Sequence, residues 1–219
     1  MSMEASRAGR SLLLVTVLGG LAACSTVYYR TLDALGVEKR TVLVDRVEDA
    51  RDRQNEAKEQ FASALEAFRA VVAFEGGDLE SLYDRLNGNY ERSERRAAAV
   101  RDRIDGVEDV AGRLFEEWED ELEEYSDPSL RRQSETLLGN TRERYADVLR
   151  AMRRAEATMQ PVLETLQDQV LFLRHNLNAR AVGALDAELD SIERDTTALI
   201  AEMERAIAEA DAFIREMTA

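Results

Sequence analysis

Between Leu79 and Tyr125 apolar residues recur at alternating steps of four and three: Leu79, Tyr83, Leu86, Tyr90, Ala97, Val100, Ile104, Val107, Ala111, Leu114, Trp118 and Tyr125. Ser93 and Glu121 alone interrupt the row, no Pro falls within it, and Gly88, Gly106 and Gly112 lie off the stripe. A repeat near 3.5 residues sustained this far keeps one seam turned toward a partner helix and predicts coiled-coil packing. At a rise of about 1.5 Å per residue such a helix is on the order of 70 Å long. It cannot bury its seam alone, so the flanking segments must supply partners.

They carry matching patterns. From about Thr41 to Glu75 the seam reads Leu43, Val47, Ala50, Gln54, Ala57, Phe61, Ala64, Phe68 and Val71, with Ala at alternate places allowing close approach of a neighbour. Gly76-Gly77-Asp78 then supplies a stop and an N-cap for the next helix. After Tyr125, Asp127 as N-cap and Pro128 at the first helical position open a third helix. It carries Leu138, Tyr145, Val148, Met152, Ala155, Met159, Val162, Leu166, Val170 and Leu173. The period continues across Pro161, which predicts a kink rather than a break.

The boundary at Arg174-His175-Asn176-Leu177-Asn178 is ambiguous, because the phase before it does not match Leu185, Leu189, Ile192, Thr196, Leu199, Met203, Ala206, Ala210, Phe213 and Met217 after it. A continuous helix would need a stutter there. A turn would use Asn176 in the left-handed conformation and Asn178 as the next cap. The turn is favoured, because a straight continuation leaves the final seam without an intramolecular partner. The expected fold is all-α: an elongated antiparallel bundle of four long helices with coiled-coil-like packing, of roughly 35, 47, 47 and 40 residues.

Composition agrees with an all-helical chain: 33% of its 219 residues are charged, 45% hydrophobic, and only two are Pro. Formal net charge is −15, and Lys occurs only at Lys39 and Lys58. So acidic a surface argues against general nucleic-acid binding and against electrostatic adhesion to anionic lipid. Membrane attachment is instead expected from the first residues. Arg7 and Arg10 precede the apolar run 11–18, too short to span a bilayer but suited to a secretory signal peptide. The run leads to Leu21-Ala22-Ala23-Cys24, which resembles the lipobox of bacterial lipoproteins. That resemblance implies cleavage before Cys24 and acylation of its thiol and new amino group, several chains anchoring where one binds only marginally. Ser25 is compatible with sorting to the outer membrane. The expected organisation is a signal peptide over 1–23, an anchor and linker over 24–40, and a bundle over 41–219. Tyr28, Leu32 and Leu35 suggest a short helix in the linker, stopped at Gly36.

Three places carry candidate chemistry. Seven of the nine residues from Glu116 to Glu124 are acidic, at a helix C-terminus where the macrodipole disfavours negative charge. Glu116, Glu117, Trp118, Glu119 and Asp120 are thus candidates for docking a cationic partner or loosely holding a divalent cation, against the plainer reading of a solvated face. Arg92, Arg95, Arg96, Arg101 and Arg103 fall level with Arg150, Arg153 and Arg154 in an antiparallel hairpin. Pairing with the interleaved Glu and Asp is the favoured reading; a free belt would suit phosphate, lipid A or an acidic partner. Val170-Leu171-Phe172-Leu173 is apolar on every side; a buried end-cap is expected, the alternative being an exposed patch grouping Phe172 with His175, Asn176 and Asn178.

His175 is the only His, whereas carboxylate-bridged di-iron bundles use two Glu-x-x-His pairs. A His-dependent nucleophilic triad would have this one residue to draw on. The lone Cys excludes an intramolecular disulfide, and no phosphate-binding Gly loop or nucleophile elbow occurs. No cofactor, metal or enzymatic activity is expected.

Four strings, Leu43–Ala50, Phe115–Leu122, Ala151–Glu156 and Val170–Arg180, resemble a family of Gram-negative bacterial lipoproteins that is classed as a domain of unknown function. The resemblance covers essentially all of the chain after Cys24 and implies location and fold, with no catalytic residue to transfer. The functional expectation is an outer-membrane-anchored periplasmic lipoprotein acting as a non-enzymatic scaffold for an envelope partner. The alternative is a ligand- or ion-binding module using the acidic helix end or the Arg belt. Excess seam surface would equally serve a homo-oligomer.

Overall fold

The computed structural model describes residues 39–218, apart from the side chains of Lys39 and Ala179. The signal peptide, Cys24 and the short helix expected around Tyr28 lie outside the described residues. Four helices follow: α1 (Lys39–Val72), α2 (Leu79–Leu122), α3 (Pro128–His175) and α4 (Ala179–Thr218). No strand occurs among the described residues. Lys39–Val42 form the opening turn of α1, and one compact unit begins at Leu43.

The helix ends are explained residue by residue. Gly76 and Gly77 adopt φ values of 142° and 112°, a region that side chains with a Cβ rarely enter, and so reverse the chain after α1. The Asp78 carboxylate accepts from Ser81 N–H at 3.0 Å, and Asp127 Oδ1 accepts from Ser129 and Leu130 N–H at 2.7 and 3.4 Å. Pro128 occupies the start of α3, where its missing N–H costs nothing. Pro161 is accommodated inside α3, which continues on both sides of it.

The turn after His175 forms, but not by the expected geometry. Asn176 has φ −137° and ψ 52°, and among the described residues no non-glycine has positive φ. Its N–H donates to the Leu173 carbonyl at 3.0 Å and its Nδ2 to the Phe172 carbonyl at 2.9 Å. The last carbonyls of α3 are thereby satisfied without a left-handed residue. Asn178 Oδ1 accepts from Arg180 and Ala181 N–H, both at 3.1 Å, capping α4 as expected. Two boundaries fall short of the expected ones, since α1 ends at Val72 and α2 at Leu122. Glu123 and Glu124 N–H bond the carbonyls three residues back, tightening the last turn of α2 and leaving Tyr125 exposed outside it.

Side-chain pairs fix the arrangement. Arg51, Lys58 and Arg69 of α1 meet Asp211, Glu204 and Glu193 of α4, so α1 rises and α4 falls by equal steps of seven and eleven residues. Those steps are two and three helical turns, so the two helices run antiparallel along single faces. Glu56 and Gln60 meet Arg96 and Asn89 of α2 in the same sense. Arg101 meets Glu156, and Glu119 meets Arg142, between α2 and α3. Arg144 of α3 reaches Glu216 of α4. Each helix thus has two neighbours, and the ring closes as an antiparallel four-helix bundle.

The seam residues fill its core. Leu43, Phe61, Phe68, Leu86, Ile104, Met152, Leu185, Leu199 and Phe213 are all at most 1% exposed. Burying each such side chain stabilises by about 1.5–3 kcal/mol. Ser93, one of the two breaks in the α2 row, is buried because its hydroxyl donates to the Asn89 carbonyl at 3.0 Å. Gln54 is different: it is fully buried at the level of Ala206 and Ala210, and neither amide atom has a hydrogen-bond partner.

Candidate interaction surfaces

The sequence candidates separate into three places along the bundle. Glu116, Glu117, Trp118, Glu119 and Asp120 sit in the last two turns of α2. Glu116, Glu119 and Asp120 are exposed, while Glu117 and Trp118 are half-buried. Trp118 lies on the seam and donates its indole N–H to Ser134 Oγ at 2.8 Å, tying α2 to the start of α3. Glu119 accepts from Arg142 at 2.6 Å, and that hydrogen bond holds its carboxyl below the usual carboxylate range. The Arg142 guanidinium also lies 5.1 Å from the Phe115 ring centroid, and Phe115 meets Tyr145 edge-on at 5.4 Å. Trp118 and Glu119 are thus engaged in holding the hairpin together, whereas Glu116 and Asp120 face water.

Arg153 and Arg154 are in mid-bundle. Arg153 is bound by three carboxylates: Asp105 at 2.6 Å, Glu156 at 2.7 Å, and Glu108. Its own burial would lower the guanidinium pKa, but these bonds raise it overall. Burial likewise would raise Glu156, yet hydrogen bonds from Arg153 and Arg101 hold it below its ordinary value. Arg96, Arg101 and Arg150 are also paired, with Glu56, Glu156 and Asp147 respectively. The Arg cluster is therefore largely neutralised, as its interleaved acids led one to expect, because α2 and α3 place them at the same levels. Arg154 is exposed, with Glu202 of α4 feeling its charge.

Beside this network α2 and α3 form an open groove of about 380 Å³, lined by Tyr90, Glu94, Arg101, Glu156, Met159 and Leu163 among others. Burial, and then a hydrogen bond with Glu94, push the Tyr90 hydroxyl up to about 12. It is a neutral phenol at any physiological pH.

Phe172, His175, Asn176 and Asn178 come together at the opposite end, at the α3–α4 turn, about 30 Å along α3 from Arg153 by helix rise. Here the expected buried end-cap holds for only half of the run: Val170 and Leu173 are buried, while Leu171 and Phe172 are 43% and 42% exposed. A helix has only one inward face, so four consecutive apolar residues cannot all be covered. His175 is exposed, and the two Asn cap helix ends as described above. Arg174 donates to the Tyr83 hydroxyl at 3.3 Å, fastening this end to α2.

Two exposed residues escaped the sequence reading. Leu130 and Leu137 are 50% and 57% exposed. Their seven-residue spacing, off the Leu138–Tyr145 stripe, was the available signal. Among the described residues no group of three or more His, Cys, Asp or Glu is placed to hold a metal ion. None of the described helices is long and apolar enough to cross a membrane.

Residues 28–217 match the family model described as protein of unknown function (DUF2959). The chain belongs to this family. No curated protein matches it. The DUF2959 match takes in all four helices almost to the end of α4, and it begins eleven residues before α1. All three candidate surfaces are therefore parts of the family domain.

Proposed function

We propose that this DUF2959 protein is a non-enzymatic, lipid-anchored scaffold of the bacterial cell envelope, held at the outer membrane through Cys24 and facing the periplasm. One observation carries the interaction role. Among the described residues the exposed large apolar side chains lie at the two ends of the bundle: Tyr125, Leu130 and Leu137 around the α2–α3 turn, and Leu171, Phe172 and Leu177 around the α3–α4 turn. The flanks between them carry ion-paired Arg, Asp and Glu. A molecule with wet, charged sides and apolar ends is suited to joining components at those ends. The anchoring role rests on the resemblance of Leu21–Cys24 to a lipobox.

Two experiments test the two halves. Metabolic labelling with a palmitate analogue should label the native chain and leave Cys24→Ala unlabelled; equal labelling of both would end the anchoring reading. Cross-linking in intact envelopes should trap a reproducible partner, and Phe172→Ser with Leu177→Ser, or Leu130→Ser with Leu137→Ser, should reduce its yield. A partner pattern indifferent to both pairs would reject the ends as contact sites.

A further inference from the structure

The α1–α2 and α3–α4 turns share one end of the bundle, the length of α1, about 50 Å by helix rise, from where the described chain begins. The two turns carry opposite charge. From Ala70 to Asp84 the chain has four acids, Glu75, Asp78, Glu80 and Asp84, and no Lys or Arg. From Gln169 to Leu185 it has Arg174, His175 and Arg180, and no Asp or Glu. All seven of these residues are exposed.

The turns differ in relief as well. Leu171, Phe172 and Leu177 are exposed on the cationic side. On the acidic side Gly76 and Gly77 bear no side chain, and open space surrounds the positions a Cβ would take. Phe74 and Leu82 beside them are half-buried. One turn thus offers bulky apolar groups, and the other a bare stretch of backbone bordered by apolar surface.

We propose that this end binds a second copy of the chain, end to end, about a two-fold axis along the border between the two turns. That axis lays the cationic, apolar turn of each copy on the acidic glycine turn of the other, so every unlike contact is made twice. The order of helices around the ring sets α4 over α1 of the other copy and α3 over α2. Arg180 is thereby brought to Glu75, Arg174 to Glu80, and Leu177 to the space over Gly76 and Gly77. An axis at right angles would set Arg against Arg and Glu against Glu, and charge rejects it. Charge also selects the occupant: a surface that meets both turns at once must carry both signs side by side, and this end is itself such a surface.

With helix axes about 8–10 Å apart the end offers about 400 Å² on each copy. A standard interface takes about 800 Å² per partner, so the pairing is weak and reversible. The inference rests on the scaffold reading and names what one of its two ends joins. The described chains would begin at the outer ends of the pair, about 100 Å apart by helix rise.

Sedimentation equilibrium of the full chain, kept free of acyl groups by Cys24→Ala, reads the pairing. The mass should climb from one chain toward two as concentration is raised, and less steeply at higher salt. Phe172→Ser with Leu177→Ser should hold it at one chain while leaving the thermal melt unchanged. Arg180→Glu alone and Glu75→Arg alone should each weaken pairing severalfold, and the two in one chain should restore it, which a merely structural role would not do. A chain that stays single at every concentration, pairing indifferent to the apolar variant, or a combined charge reversal that fails to restore it would each overturn the proposal. Envelope cross-linking detects other proteins, so failure here leaves the scaffold reading to stand or fall by its own test.

Discussion

Glu156 shows how a single side chain sets a pH dependence in this protein. It is bonded by Arg101 at 2.9 Å and Arg153 at 2.7 Å, and its pKa lies below that of an unfolded chain. A carboxylate with a lowered folded pKa contributes stability that is fully present above the unfolded value and is lost as pH falls through the folded one. Glu156→Gln should therefore cost about 1–2 kcal/mol at neutral pH, and the gap to the native chain should close on acidification below the ordinary carboxylate range. Urea melts at a series of pH values measure this; a constant gap would deny Glu156 the role. Gln54 makes the opposite prediction. Its amide is buried without partners, and such desolvation costs about 1–3 kcal/mol, so Gln54→Met should raise the urea midpoint. A lowered midpoint would mean that the amide is satisfied by something other than protein atoms.

Each helix owes its limits to short signals and its length to periodicity, and the two were not equally legible. The seams of α1 to α4 could be read from spacing because burial follows the 4-3 pattern along whole helices. Asp78, Asp127 and Asn178 could be read because an oxygen one residue before a helix has few other roles. The conformation of Asn176 could not, since two different geometries satisfy the same carbonyls. Nor was it legible which residues of Val170–Leu173 would face out, because that depends on how α3 is rotated against its neighbours, while Leu130 and Leu137 left only their seven-residue spacing as a signal. The Arg belt was legible as a cluster and, from the acids interleaved with it, as a paired one, but not partner by partner. Its neutralisation depends on the α2–α3 register, which sets Asp105 and Glu108 against Arg153. At this scale Asp127→Ala should cost about 0.5–2 kcal/mol, because two N–H groups of α3 lose their acceptor. Gly77→Ala should also destabilise: its φ of 112° strains any Cβ although open space surrounds it. Thermal melts of both variants provide the check, and an unchanged midpoint in either would refute the local account.

The bundle closes through α1 and α4, the elements furthest apart in sequence, so damage to one helix should be felt by all. Ile104 is fully buried on α2, and Ile104→Ala should cost about 2–5 kcal/mol. Helical signal and Trp118 fluorescence should still fall together in one earlier transition; separate transitions would show that the hairpin melts by itself. Closure also settles where the unit's two ends lie. One more two-turn step beyond Arg51 and Asp211 brings Val44 level with Thr218, whereas the double-glycine bend lies at the far end. The polypeptide thus leaves the bundle beside the point where it enters. Splicing those termini through a flexible bridge and cutting anew at Gly76-Gly77 would reorder the gene while keeping every helix beside its present neighbours, a circular permutant that this topology should tolerate.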